Sequence, residues 1–160
     1  MKRFFLVAIA TVFFFLQFQL NPANAIVLTE DTLTIPLNES GSKTVFKAEQ
    51  YTNGNRLFIQ ECTQCHLQGK TKTNNNVSLG LADLGKAEPP RDNLLALIDY
   101  LENPTSYDGE DDYKELHPNV SRPDIYPELR NWTKQDVEDV AGYMLIAPRL
   151  DQRWGGTIYF

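Results

Sequence analysis

Apolar and polar positions follow three rhythms along this chain. The first is an apolar run from Phe4 to Leu16, interrupted only at Thr11 and preceded by Lys2 and Arg3. Asn21 and Pro22 break it, and Ala23-Asn24-Ala25 forms a small-x-small cleavage pattern. Residues 1–25 therefore read as a signal peptide removed after Ala25. The competing reading is an uncleaved membrane anchor, but the run falls short of the about 20 apolar residues a span needs. The second rhythm has period two: Leu33, Ile35 and Leu37 alternate with Thr32, Thr34 and Pro36. Asn38-Glu39-Ser40-Gly41-Ser42 is a turn-forming stretch, and Thr44-Val45-Phe46 is a second short apolar run. Together they predict a small β-hairpin within residues 26–47, with Pro36 confining its strand to an edge. A lone hairpin is marginal in water, so this one needs a surface to pack on.

The third rhythm is helical. Tyr51, Leu57, Phe58 and Ile59 predict a helix from about Ala48 to Cys65, with Gly54 inside it. A helix-interior glycine costs about 1 kcal/mol relative to alanine, and close approach of a second helix is one reason to carry that cost. The alternative is a loop at Asn53-Gly54-Asn55 with the helix starting at Arg56. Leu94, Leu97, Ile98 and Leu101 recur at three and four, predicting a helix capped by Asp92 and ended by Asn103-Pro104. A short helix is expected from Pro123-Asp124 to Leu129 or Arg130. Thr133-Lys134-Gln135-Asp136 has the form of a capping box opening a last helix. Its buried stripe is Val137, Val140, Ala141, Met144 and Leu145, with Pro148 as its end. Gln68 to Asn76 is polar and reads as surface loop, and Glu88-Pro89-Pro90 stops regular structure. The tail from Trp154 to Phe160 is aromatic and glycine-rich, and is expected to be tied down. The fold class is mainly α with a small N-terminal β-hairpin, the helical domain covering residues 48–160.

Charge narrows the partners. The chain carries a formal net charge of −6, and loss of Lys2 and Arg3 makes it two units more negative. An exported acidic protein is a poor ligand for nucleic acid or an anionic membrane; its docking partner is expected to show Lys and Arg. Asp108, Glu110, Asp111, Asp112 and Glu115 surround Tyr107 and Tyr113. This stretch is read as a solvated loop, with a docking surface for a basic partner as the sharper alternative.

The chemistry sits in Cys62-Thr63-Gln64-Cys65-His66. Cys-x-x-Cys-His is the attachment pattern of a c-type haem: two thiols add to the two haem vinyl groups, and the adjacent imidazole ligates iron. Leu79, Leu81 and Leu84 are candidates to cover a haem edge. Three other chemistries use such a cysteine pair. A disulfide would close only a tiny loop, and a thioredoxin-like pair needs a βαβ framework. Zinc would require the neighbours Cys65 and His66 to share one tetrahedral ion. The second iron ligand is sought between His117, in a loop beside Pro118, and Met144, which falls at core spacing in the last helix. Two imidazoles would leave no open iron position for a substrate and would lower the reduction potential relative to a His/Met pair.

Taken together, the haem motif, Pro89-Pro90-Arg91-Asp92-Asn93, Asn103-Pro104-Thr105-Ser106-Tyr107-Asp108-Gly109, His117-Pro118 and Trp154-Gly155-Gly156 resemble the cytochrome c-550 family. The resemblance covers the expected mature chain. It implies a class I cytochrome c-like domain around one covalently attached haem c, held by Cys62 and Cys65, with His66 and His117 on the iron. It further implies a non-catalytic extrinsic subunit of photosystem II, in the thylakoid lumen of a cyanobacterium or algal plastid. There it would be peripheral to the membrane and support the manganese–calcium cluster with its chloride and calcium. The alternatives are a soluble electron shuttle and a divergent paralogue with altered ligation.

Overall fold

A computed structural model describes residues 27–156 of the chain. The expected signal peptide and the last four residues of the tail lie outside them.

The hairpin forms as expected, though one helical turn precedes it. Thr29 and Thr32 cap each other reciprocally, which starts α1 (Glu30–Leu33), and Glu30 and Asp31 in its first turn favour its N-terminus. Leu33 thus closes a turn rather than starting a strand. Strand β1 (Thr34–Pro36) pairs antiparallel with β2 (Lys43–Val45), in register Thr34 to Val45, Ile35 to Thr44 and Pro36 to Lys43. Asn38 Oδ1 accepts from the Ser40 amide and hydroxyl and closes the connection. Ile35 is fully buried and Phe46 nearly so.

The chain then runs helically for almost twenty residues. α2 (Ala48–Leu57) passes through a π-helical turn, Phe58–Cys62, into α3 (Thr63–His66). Gly54 lies inside α2 and is buried against α6 (Lys134–Leu150), so the loop alternative does not apply. After a single 3₁₀ turn, Leu67–Gly69, the polar connection runs over the surface to α4 (Leu81–Leu84). α5 (Leu94–Glu102) buries Leu94, Leu97 and Leu101. Its cap is Asn93, not Asp92: Asn93 has extended backbone, and its Oδ1 accepts the Ala96 amide at 3.0 Å. Residues 121–126 form turns, and only Pro127–Leu129 makes a 3₁₀ turn, in place of the helix expected from Pro123.

α6 is the axis of the core. Thr133 and Asp136 form the expected capping box, the Thr133 amide donating to Asp136 Oδ2 at 2.9 Å. Burial is wider than the expected stripe, because residues 139–147 are buried without a break. α2, α5 and the hairpin cover different sides of the helix, so its middle has no wet face. Gly142 admits the Phe46 ring, and Arg149 Nη1 donates to Thr34 O at 2.6 Å, which fixes the hairpin to α6. Pro148 does not end the helix. It sits in the last turn, where its missing N–H costs one backbone bond, and the Asp151 amide still reaches Ala147 O at 2.9 Å.

Candidate functional site

The two cysteines and His66 arrive at the site through the π-helical turn. Such single turns recur at functional positions because the extra residue re-aims the side chains that follow. Phe58 within it is buried, with ring centroids 5.3 Å from Tyr143 on α6 and 5.2 Å from Trp154. Trp154 in turn donates from Nε1 to Leu79 O at 2.9 Å, and the Gly155 amide donates to Gln68 O at 2.8 Å. Gln68 lies in the left-handed region at φ 54, two residues beyond the motif. The described part of the tail is therefore tied down, as expected, and it braces the chain on both sides of Cys62–His66.

A cavity of about 990 Å³ opens beside the motif. Cys62, Cys65, His66 and His117 all line it, so the structure gathers all four expected site residues. Leu79 and Leu84 line it as well, while Leu81 packs against the core instead. Both cysteines are free thiols, and burial pushes the Cys62 thiol up to about 12. No group of three or more His, Cys, Asp or Glu side chains suited to a metal ion occurs among the described residues, which disfavours the zinc alternative. Met144 is buried in the core cluster of α6 and also reaches the cavity wall.

The His66 and His117 rings are tilted at 48° to each other, and the separation of their centroids is 6.1 Å. It matches two ring radii plus two metal–imidazole bonds of about 2 Å each. Each ring is held through its other nitrogen: His66 Nδ1 lies 3.3 Å from Thr71 Oγ1, and His117 Nδ1 lies 2.9 Å from Pro118 O. Outer partners of this kind orient a ligating imidazole and leave Nε2 for the metal. Burial lowers both pKa values to about 4; for His117 the neighbouring His66 and, more weakly, Arg91 add to the effect. Neutral imidazoles are what iron requires. A cavity of this size with apolar walls, two thiols and two neutral imidazoles fits a haem.

Three supporting residues had no clear signal in the sequence. Tyr100 packs its ring 5.1 Å from that of His117. Arg91 reaches the cavity and places its guanidinium 4.0 Å from the Tyr100 ring centre. Asn119 is fully buried; its Nδ2 donates to His117 O at 2.7 Å and Lys114 O at 2.9 Å, and its Oδ1 accepts from Ser121 at 2.6 Å. Asn119→Ala leaves two carbonyls without their donor, at about 1–3 kcal/mol each. Chemical denaturation of the haem-loaded variant is expected to show a loss of about 3 kcal/mol, with broadened low-spin paramagnetic resonance as His117 loosens.

Residues 26–160 match the cytochrome c-550 domain family. Photosystem II extrinsic protein V of Synechocystis sp. is 70% identical over 160 residues, covering the whole of both chains. The protein of that name from Microcystis aeruginosa is 75% identical over 133 residues, 83% of this chain and 98% of its own. Among solved structures, cytochrome c549 superposes with a TM-score of 0.78 at 43% identity, covering 80% of this chain and all of the other. The PsbV2 cytochrome of Thermosynechococcus elongatus superposes less closely, with a TM-score of 0.65 at 36% identity, over 76% of this chain and 86% of its own. The helical fold with its two-stranded sheet, the haem motif and the match along residues 26–160 agree, and the chain belongs to the cytochrome c-550 family.

Proposed function

We propose that this protein is an extrinsic, haem-carrying subunit of photosystem II that stabilises the oxygen-evolving manganese–calcium cluster and its chloride and calcium requirement from the lumenal side. In this reading Cys62 and Cys65 hold haem c through thioether bonds, and His66 and His117 ligate its iron. The observation that carries the haem assignment is the pair of half-buried imidazoles brought together beside Cys-x-x-Cys. When bound, haem supplies one-electron transfer at a potential kept low by imidazole ligation on both sides. With His66 and His117 both on the iron, no position would be left open for a substrate, which supports a non-catalytic role. Thr71 and Pro118 hold the two rings in place, while Phe58, Tyr143 and Trp154 exclude water on the α6 side.

Near-complete identity of length with relatives named as photosystem II extrinsic proteins supports the assembly. No helix among the described residues is long and apolar enough to cross a membrane. Asp108, Glu110, Asp111, Asp112 and Glu115 are all exposed, presenting an acidic surface suited to a basic partner. The subunit is expected to co-purify with photosystem II membranes at low salt and to leave them in concentrated salt or alkaline buffer. Oxygen evolution should then come to depend on added chloride and calcium. Recovery in the soluble fraction at low salt, with no effect on oxygen evolution, would replace this reading with that of a shuttle.

A further inference from the structure

Arg91 is a buried cation without a counter-ion. The residue is 7% exposed, and no carboxylate pairs with it among the described residues. Its Nη2 donates to Thr105 O at 3.2 Å, Thr105 Oγ1 at 3.1 Å and Ser106 O at 2.6 Å. Those three bonds use one nitrogen of the fork. No hydrogen bond runs from Nε or Nη1 to the described residues, and the side chain lines the cavity. The Tyr100 ring, 4.0 Å from the guanidinium carbon, stabilises the charge on one face without neutralising it. Burial disfavours the charge, so a partner is expected where the remaining N–H groups emerge.

The cavity has a lopsided charge pattern. Glu61, Asp108, Asp111 and Glu128 share its lining, and Arg91 is the only Lys or Arg among the described residues that line it. Haem brings two carboxylates of its own. Placed beside the acidic groups they would repel, whereas at Arg91 a carboxylate meets a desolvated planar fork suited to bidentate bonding.

We propose that Arg91 is the counter-cation of one haem propionate, in an ion pair anchored on Thr105 and Ser106. The assignment rests on haem occupying the cavity. It makes Arg91 an electrostatic control on the iron as well as a tether for residues 105 and 106. Removal of the positive charge leaves the propionate uncompensated and favours the more positive ferric state.

The test compares the intact haem-loaded protein with Arg91→Met and Arg91→Lys. Pigment yield is measured first, because a wild-type chain that acquires no haem overturns the haem reading itself. With haem present, the wild-type potential is expected to stay flat from about pH 5 to about 8, the propionate remaining ionised. In Arg91→Met the equilibrium should shift at least tenfold toward ferric at the alkaline end, which is 59 mV for one electron. A break should then enter the window as the propionate protonates, raising the potential toward acid. Arg91→Lys should recover most of the shift, because charge rather than fork shape carries it. A haem-loaded Arg91→Met with lower stability but unchanged potential and profile would overturn the proposal. Wild-type protein with isotope-labelled propionates decides the matter even if both variants fail to fold. Protonation of both propionates across that window, seen as complete loss of the labelled carboxylate band in the infrared, would overturn it, and a labelled carboxylate band that persists from at least one propionate would support it.

Discussion

Replacing His117 with alanine is expected to give a protein that keeps its haem yet binds carbon monoxide in the ferrous state, where the parent binds none. The separation of tasks follows from where the residues sit. In the proposed reading, attachment would fall to Cys62 and Cys65 and one iron position to His66, all delivered by one helical run. His117 belongs to a different part of the chain, the loop fixed by Asn119 and by the Val120 amide bonded to Leu101 O. Its removal takes one imidazole from a pair 6.1 Å apart and leaves the other in place. The optical spectrum should change from six-coordinate low-spin toward five-coordinate high-spin, and the potential should rise. Met144 also reaches the cavity, so a methionine-type spectrum in the single variant would identify a replacement ligand and still remove His117 from the iron. An unchanged spectrum with no carbon monoxide binding would show that His117 is not the ligand.

The haem site was legible because its chemistry is compact in sequence. Cys62, Cys65 and His66 fall within five consecutive positions, and the chain offers one other histidine. The hairpin, the Thr133 capping box and the α5 stripe were legible for a related reason, since each depends on residues two to four positions apart. What escaped was set by contacts distant in sequence. The π-helical turn at Phe58–Cys62 leaves no mark on periodicity; it is stabilised by stacking on Tyr143 and Trp154, far along the chain. The place of Arg91 at the cavity left no local mark because its acceptors, Thr105 and Ser106, lie in the next loop. The breadth of burial on α6 exceeded its apolar stripe because Gly142 and Ala147 carry no strong hydropathy signal yet lie under neighbouring elements. Asp92 and Asn93 are both good caps, and only the backbone at Asn93 decides between them.

The largest stability effect is expected at Gly54, and its sign runs against local propensity. In an exposed helix, Gly54→Ala would stabilise by about 1 kcal/mol. Here a β-carbon would overlap Asp139 O and lie 2.6 Å from Asp139 C and 2.9 Å from Tyr143 Cβ, so backbone must move. The crossing that must open also holds Asp139, a buried carboxylate bonded by Asn53 at 2.8 Å and Gln50 at 3.3 Å from α2, and by Gln135 at 2.8 Å from α6. Separating the helices stretches both α2 donors away from a buried carboxylate that forms no ion pair among the described residues, at about 1.5–3 kcal/mol per charged hydrogen bond. Overpacking adds about 1–3 kcal/mol. Net destabilisation of about 3 kcal/mol or more follows, lowering the melting temperature by about 10 °C. Since α2 feeds directly into the turn that carries Cys62, a shifted α2 also displaces the thiols, so the fraction of chains acquiring haem should fall together with the melting temperature. A variant that melts at or above the parent temperature with full haem would show that α2 and α6 do not approach as closely as the glycine requires.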